Sequence, residues 1–298
     1  MMKVKAITMS VCVFFSLSFI SCTDKLFPEK EWTKGFLRAN ISEEGAFPST
    51  TEEIQVRYYD LYSGDEYTDK FGEPDYFDGE NNFLSKIKTG EYRFLAYSAF
   101  NGKVRNTSDI ATIEVYMDTT YLAKYDSYVI ANKQKPVFTA TETGKIHRED
   151  TTYRSFVLTP MVQNITVNVT VMGLSNNHHI KSIEAMLSGV IVGRKIHTNQ
   201  PIPEYSGLIC NFDEIQQDKF TSSSWVFGVS NAVPNIFKIQ CIGDSFNHYS
   251  EVELSDVLTD FTADGMIINL VIELGENMEM KDIYIADWED VDQSEIKF

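Results

Sequence analysis

Alternation of apolar and polar residues is the feature that most constrains the fold of this chain. Residues 165–172 read Ile-Thr-Val-Asn-Val-Thr-Val-Met, and residues 267–274 read Ile-Ile-Asn-Leu-Val-Ile-Glu-Leu. Successive side chains of a strand point to opposite faces, so each segment would bury one apolar face. This pattern predicts antiparallel sheets with one face on a core and the other in water.

Similar segments recur along most of the chain and are separated by Gly, Asn, Asp and Pro. They are Phe36–Ile41, Ile54–Tyr62, Tyr92–Phe100, Ala111–Met117, Tyr128–Ala131, Val137–Thr141, Arg154–Leu158, Ile183–Met186, Gly207–Phe212, Ser224–Val229, Ile236–Cys241 and Ile283–Ala286. Helix signals are confined to Phe212–Gln217 and Ser255–Asp260, each long enough for one turn. Many short strands at regular spacing predict an all-β fold built from β-sandwiches.

Pro160 interrupts this strand-rich sequence near its middle. A proline has no amide hydrogen to donate to a ladder, so it is not tolerated within a central strand. We therefore expect two tandem β-sandwich domains, over residues 35–159 and 160–298. Each is long enough to bury a core of its own.

The N-terminus has the pattern of a signal peptide. Lys3 and Lys5 precede an apolar run over Ile7–Ile20, which is shorter than the ~20 residues that a membrane-spanning helix needs. Ser21 and Cys22 follow this run and resemble the lipobox of bacterial lipoproteins. In such proteins the cysteine thiol receives a diacylglyceryl group, and the signal peptide is cleaved immediately before it.

We accordingly expect residues 1–21 to be removed and residues 22–34 to form a linker. Lipidation of Cys22, palmitate included, would anchor the mature chain in the bilayer of the outer membrane, facing the periplasm or the cell surface. Two or three acyl chains anchor a protein stably, whereas one does not. The alternative is a plain secretory signal in which the cysteine occurs by chance.

The net charge narrows the possible partners. The chain has 26 basic and 43 acidic residues, and its net charge of −17 disfavours nucleic acid as a partner.

The four Cys are too few for a disulfide scaffold. Cys12 lies in the signal peptide, which leaves Cys210 and Cys241 in strand-like segments. They could form a disulfide between neighbouring strands in an oxidising envelope, or remain two buried free thiols.

Signatures of catalysis are missing from the sequence, which contains no GxSxG, HExxH, Walker A or GxGxxG motif. His178 and His179 are adjacent, so their side chains would point in opposite directions and make a poor metal site. The acidic segment Asp75–Asn82 does not have EF-hand spacing. We therefore expect a protein without enzymatic activity, cofactor or metal.

Two further patterns concern sugars. Asp118-Thr119-Thr120 and Asp150-Thr151-Thr152 resemble the Asp-Thr-Thr acceptor of O-glycosylation in gut anaerobes, which makes Thr119 and Thr151 candidate acceptors. Tyrosines cluster between Tyr58 and Tyr67. Such aromatic residues either fill a core face of a sheet or stack on bound sugars.

Four stretches in this order behind a lipobox resemble the fimbrillin-like lipoproteins of gut Gram-negative anaerobes, in particular a type V pilus-related branch. They are Glu91–Tyr97, Val157–Pro160, Ile183–Gly189 and Ile283–Val291. The resemblance implies two transthyretin-like, Greek-key β-sandwich domains in series. It also implies a pilus subunit, or an accessory or anchor protein of a pilus. Stalk subunits of this family lose their first strand to a trypsin-like protease, and the vacated groove accepts a strand of the next subunit.

In this chain the strand to be lost would be Phe36–Ile41, yet residues 42–53 contain no Lys or Arg at which to cut. This departure favours an anchor, tip or accessory subunit that keeps its lipid and serves adhesion or pilus assembly. Other fimbrial subunits would join it by strand addition. The alternative is a surface glycan-binding lipoprotein of a polysaccharide-uptake system, with host or microbial glycans as ligands. An exposed aromatic platform beside amides and acids would favour glycans, and a detachable strand would favour assembly.

Overall fold

The computed structural model describes residues 34–43, 54–62, 66–71, 82–130, 134–174, 178–259, 261 and 265–291. Within these ranges the regular structure is almost entirely β-strand, arranged in several sheets, and this confirms the predicted all-β sandwich class. The expected signal peptide, residues 1–21, and Cys22 lie outside the described residues.

The strands fall in chain order on either side of residue 160. The first group is β1 (Lys34–Glu43), β2 (Ile54–Asp60), β3 (Glu66–Phe71), β4 (Asn82–Lys88), β5 (Gly90–Ser98), β6 (Lys103–Arg105), β7 (Glu114–Tyr116), β8 (Thr120–Leu122), β9 (Ser127–Ile130), β10 (Phe138–Ile146) and β11 (Thr151–Pro160). The second group is β12 (Gln163–Met172), β13 (Ile180–Ile191), β14 (Gly193–Lys195), β15 (Tyr205–Asn211), β16 (Asp213–Gln216), β17 (Lys219–Val226), β18 (Ile236–Gly243), β19 (Asn247–Glu253), the helix α1 (Ser255–Leu258), β20 (Gly265–Leu274) and β21 (Met280–Asp290).

A seven-stranded sheet in the order β3-β2-β5-β10-β11-β1-β4 forms the N-terminal part. Its two ends share one core, because buried side chains of β1, β2, β4, β5, β10 and β11 belong to a single cluster. Phe94 lies within this cluster, and its ring meets that of Phe156 edge-on with the centroids 6.3 Å apart. The strand β11 connects the two ends, since Thr159 and Pro160 pair with β10 while the residues from Thr151 to Leu158 pair with β1.

Two further sheets enclose the larger core of the C-terminal part. One has five strands in the order β16-β17-β12-β20-β21, and the other has six in the order β19-β18-β13-β15-β9-β8. The two segments that alternate most clearly in sequence are β12 and β20. They pair with each other in parallel, so the antiparallel prediction is wrong for this pair, although each is antiparallel to its other neighbour. Val167 and Ile268 from these strands pack with Leu187 and Ile239 from the six-stranded sheet. The predicted buried faces of β12 and β20 are therefore confirmed.

Strands from before and after residue 160 share two of the sheets. The hairpin of β8 and β9 completes the six-stranded sheet, and β6 and β7 form a three-stranded sheet with β14. The larger core likewise contains residues from both parts, including Leu95 of β5. The division into domains over 35–159 and 160–298 stays a prediction.

The two predicted helical turns had different outcomes. The turn over Ser255–Asp260 is confirmed, because α1 occupies Ser255–Leu258. The turn over Phe212–Gln217 is wrong, since Asp213–Gln216 form β16 and pair with β17. Every residue of β16 is exposed, so it has no apolar face that a helix could bury. Asp218, at a φ of 63°, reverses the chain and makes the hairpin.

Candidate functional site

The first strand of the described chain is inserted between two others, and we call β1 with its neighbours β4 and β11 the strand seam. The pairing of β1 with β11 is parallel and runs from Phe36 opposite Thr151 to Glu43 opposite Leu158. Its pairing with β4 is antiparallel. Both backbone edges of β1 are thus hydrogen-bonded, so that removal of this strand would leave an open groove.

The side chains of β1 alternate between the core and the solvent. Leu37 and Ala39 are completely buried and belong to the N-terminal core, whereas Phe36 is 36% exposed. Gly35 admits no larger residue, because a Cβ there would lie 2.0 Å from the carbonyl oxygen of His147. A backbone ladder with alternate side chains in pockets is the geometry by which an added strand is recognised. The predicted strand Phe36–Ile41 lies within β1 and is confirmed.

The basic residues of β1 lie within its paired region. Lys34 pairs with Lys88, and Arg38 pairs with both Tyr153 and Leu84. A trypsin-like protease needs an extended, unpaired backbone around its cleavage site. The double ladder at Arg38 therefore protects that peptide bond in the folded protein, and residues 42–53 offer no basic alternative.

A second surface feature is a pair of exposed tyrosines on the hairpin of β8 and β9. Tyr121 and Tyr128 are directly opposite each other, with ring centroids 5.5 Å apart and an interplanar angle of 65°. They are 50% and 60% exposed. The Tyr121 hydroxyl donates to Oδ1 of Asp126 at 2.5 Å, and this hydrogen bond raises the pKa of Tyr121. We call these residues the tyrosine pair.

Of the clustered tyrosines singled out in the sequence, two lie in the cores, and the side chain of Tyr67 falls outside the described residues. Tyr58 and Tyr59 are buried, at 6% and 3% exposure, and belong to the two cores. Tyr62, next along the chain, is 82% exposed. The core alternative is confirmed for Tyr58 and Tyr59. The tyrosine pair was missed because its two rings meet only across a short hairpin.

The disulfide considered for Cys210 and Cys241 is not formed, since both are buried free thiols. Cys210 on β15 and Cys241 on β18 lie on opposite sides of β13, where they pair with Ala185 and Ile183. Two strand spacings separate such residues by about 9.6 Å, which is beyond the ~7 Å between Cα atoms that a disulfide can span. Burial raises the pKa of each thiol to about 12.

These thiols should be inert in the folded protein. We expect Ellman's reagent to label neither Cys210 nor Cys241 at pH 8 in a chain that carries Cys22→Ser and lacks the signal peptide. The nucleophile is the thiolate, which a pKa of about 12 makes scarce, and burial blocks access. The same chain in denaturant should release two equivalents of the chromophore. Rapid labelling without denaturant would contradict the burial of these two thiols.

The two candidate glycosylation sites differ in accessibility. Thr119 is exposed and lies between β7 and β8, whereas Thr151 is half-buried at the start of β11, opposite Phe36. Glycosylation stays a prediction at both residues, and the structure favours Thr119 as the more accessible acceptor. The acidic segment Asp75–Asn82 lies almost wholly outside the described residues.

Over the described ranges, no three His, Cys, Asp or Glu residues are grouped so that they could hold a metal ion. Nor do those ranges contain a helix with the length and hydrophobicity that a membrane crossing requires.

Several solved structures are similar to this chain. The sequence matches no protein-family model and no curated protein. A candidate adhesin from Bacteroides ovatus is similar in structure, with a TM-score of 0.56 and 13% identity over 81% of this chain and 90% of that chain.

Two more solved structures are similar over nearly their whole length. A candidate polysaccharide-binding protein from Bacteroides thetaiotaomicron has a TM-score of 0.53 at 9% identity, over 87% of this chain and 99% of that one. The fimbrial anchor protein Mfa2 from Porphyromonas gingivalis has a TM-score of 0.51 at 11% identity, over 85% and 97%. At such identities the similarity establishes a shared fold.

Proposed function

We propose that this chain is a lipid-anchored, non-enzymatic protein of the outer membrane that serves adhesion or pilus assembly as an anchor, tip or accessory subunit. The observation that carries this proposal is the strand seam, in which β1 is hydrogen-bonded on both sides and buries Leu37 and Ala39 in the core. The fold shared with a fimbrial anchor protein and a candidate adhesin supports it.

Retention of β1 distinguishes an anchor from a stalk subunit. A stalk subunit must lose its first strand before it can accept another, whereas an anchor must keep the segment that leads to its lipid. In this chain Arg38 is paired on both sides, and residues 42–53 lack Lys and Arg. The chain from Cys22 to β1 would thus remain intact and connect the folded part to the bilayer.

The N-terminus of the mature protein tests this proposal. We expect mass spectrometry of envelope-extracted protein, produced in a Gram-negative anaerobe, to find an N-terminal peptide that begins at Cys22 and carries acyl chains. The variant Cys22→Ser should lose both the lipid and membrane association. A mature start after Lys34 or Arg38 would contradict the anchor role, and an unmodified Cys22 in soluble protein would contradict lipid anchoring.

The second candidate function is that of a surface glycan-binding lipoprotein. The tyrosine pair favours it, because Tyr121 and Tyr128 present exposed rings beside the carboxylate of Asp126. Aromatic faces pack on the C–H groups of sugars while neighbouring acids accept hydrogen bonds from hydroxyls. A similar structure is described as a candidate polysaccharide-binding protein. Loss of sugar binding on replacement of Tyr128 would favour this second role.

A further inference from the structure

The outer face of the five-stranded sheet carries a row of polar residues that are hydrogen-bonded across four strands. Thr221 Oγ1 donates to Asn168 Oδ1 at 2.8 Å, and Asn168 Nδ2 donates to Asn269 Oδ1 at 2.9 Å. Asn269 Nδ2 in turn donates to Asp287 Oδ1. Each side chain in the row donates to the next, and the last acceptor is a carboxylate. The row is therefore a fixed polar wall whose members fulfil one another's hydrogen-bonding needs.

A cleft of about 300 Å³ opens beside this wall, toward the end of the sheet where β21 finishes. Asn164 forms part of its lining and is only 6% exposed. Its amide is held from two sides, because Nδ2 donates to Ser223 Oγ at 3.0 Å and Oδ1 accepts from Thr166 Oγ1 at 2.9 Å. We call this space the sheet cleft.

Gly265 lets β20 approach β12 closely at this end of the sheet. Gly265 is the parallel partner of Asn164, and a Cβ at Gly265 would lie 2.4 Å from the carbonyl oxygen of Asn164. Its φ of +148° is also one that other residues rarely adopt. On the other side of Asn164 the register places Trp225, whose side chain is half-buried.

The opposite rim of the sheet cleft is acidic. Glu289 and Asp290 of β21 line it, and both are exposed. No hydrogen bond or ion pair joins either carboxylate to another part of the chain that the structure describes. Ile267, opposite Glu289 in the register, adds an apolar surface between the acids and the hydroxyl of Thr166. The cleft thus combines two carboxylates that are available as hydrogen-bond acceptors, amide and hydroxyl groups in fixed positions, and one apolar side chain.

We propose that the sheet cleft binds a neutral saccharide. Sugar hydroxyls both donate and accept, and they are matched by carboxylates that only accept and by amide and hydroxyl groups that also donate. The C–H groups of a pyranose ring would pack on Ile267. Sulfated and uronic-acid sugars are disfavoured, since like charges placed together cost several kcal/mol and the whole chain carries −17. This site is distinct from the strand seam and from the tyrosine pair, and it does not depend on a fimbrial role.

Titration of oligosaccharides into the mature chain carrying Cys22→Ser tests the proposal. The probes are maltotriose, mannotriose and N,N′,N″-triacetylchitotriose, with 3′-sialyllactose as the anionic comparison, and binding is followed by calorimetry and by NMR. We expect at least one neutral probe to bind, and sialyllactose not to bind. Glu289→Gln and Asn164→Ala should each weaken this binding about tenfold, the effect of one lost hydrogen bond to a charged or buried group.

Asp282→Asn is the matched control, because Asp282 is an exposed acid on the same strand outside the cleft, and it should leave the affinity unchanged. Thermal melts verify that each variant is folded. Failure of all three neutral probes to bind would overturn the proposal, as would an affinity that Glu289→Gln and Asn164→Ala leave unchanged. Binding that is lost in Tyr128→Ala but kept in Glu289→Gln would place the sugar on the tyrosine pair, and the cleft would be the wrong site.

Discussion

Replacement of Phe94 by alanine is expected to lower the free energy of unfolding by about 3–5 kcal/mol, the usual range for a phenylalanine removed from a core. Phe94 is completely buried, and its ring lies 6.0 Å from that of Tyr92 and 6.4 Å from that of Tyr58. It also meets Phe156 of β11 across the core. The cavity would therefore lie between strands from both ends of the seven-stranded sheet, where β1 is held.

Urea unfolding of the mature chain carrying Cys22→Ser, followed by circular dichroism, measures this effect. Tyr153→Ala is the matched control, because Tyr153 lies on β11 near Phe156 but is 65% exposed. That variant should change the free energy of unfolding by no more than about 0.5 kcal/mol. A loss below about 1 kcal/mol in Phe94→Ala would mean that the N-terminal core is not packed as described.

The sequence was most informative where a strand buries one face only. In β18 every second residue is buried, and this strand was predicted from its alternation alone. The strand β5 does not alternate, because Phe94 faces the N-terminal core while its neighbour Leu95 faces the larger one. The strand Tyr92–Phe100 was nevertheless predicted, and the burial of β5 on both faces explains why its apolar residues are continuous.

Two strands that are held mainly by backbone hydrogen bonds, with few buried side chains, were not predicted. The residues of β19 alternate only between exposed and half-buried, and those of β16 are all exposed. Both are edge strands of their sheets. A sequence pattern reports the burial of side chains, so a strand that contributes mainly main-chain hydrogen bonds leaves little signal.

The candidate sites could not be predicted from the sequence either, because their residues are far apart along the chain. The strand at Phe36–Ile41 was predicted, but its parallel partner β11 follows more than a hundred residues later and could not be inferred. The sheet cleft likewise brings Asn164, Ser223 and Glu289 together from three strands. Each is an ordinary polar residue on a solvent face, and only the order and register of the strands reveal that they share one site.

Excision of β1 is the prediction that bears most directly on assembly. With a specific protease site inserted between Gly45 and Ser49, the cut chain is expected to keep β1 bound, because both its backbone edges are paired and Leu37 is buried. Once β1 has been removed in mild denaturant and the rest refolded, the melting temperature should fall by about 10 °C or more. Burial of Leu37 alone contributes about 2–5 kcal/mol, and each kcal/mol corresponds to about 2–4 °C in a chain of this size.

A synthetic peptide of residues 34–43 should restore the melting temperature, since it supplies the same backbone ladder and the same buried side chains. The peptide carrying Leu37→Asp is the matched control and should fail, because it would place an unpaired carboxylate in the core at a cost of several kcal/mol. Equal melting of the intact and excised chains, or equal rescue by both peptides, would contradict the strand seam as a recognition groove. Rescue by the native peptide alone would mean that the groove can accept a strand in trans. In that case the paired Arg38 and the lack of Lys and Arg in residues 42–53 would be what keeps β1 in place.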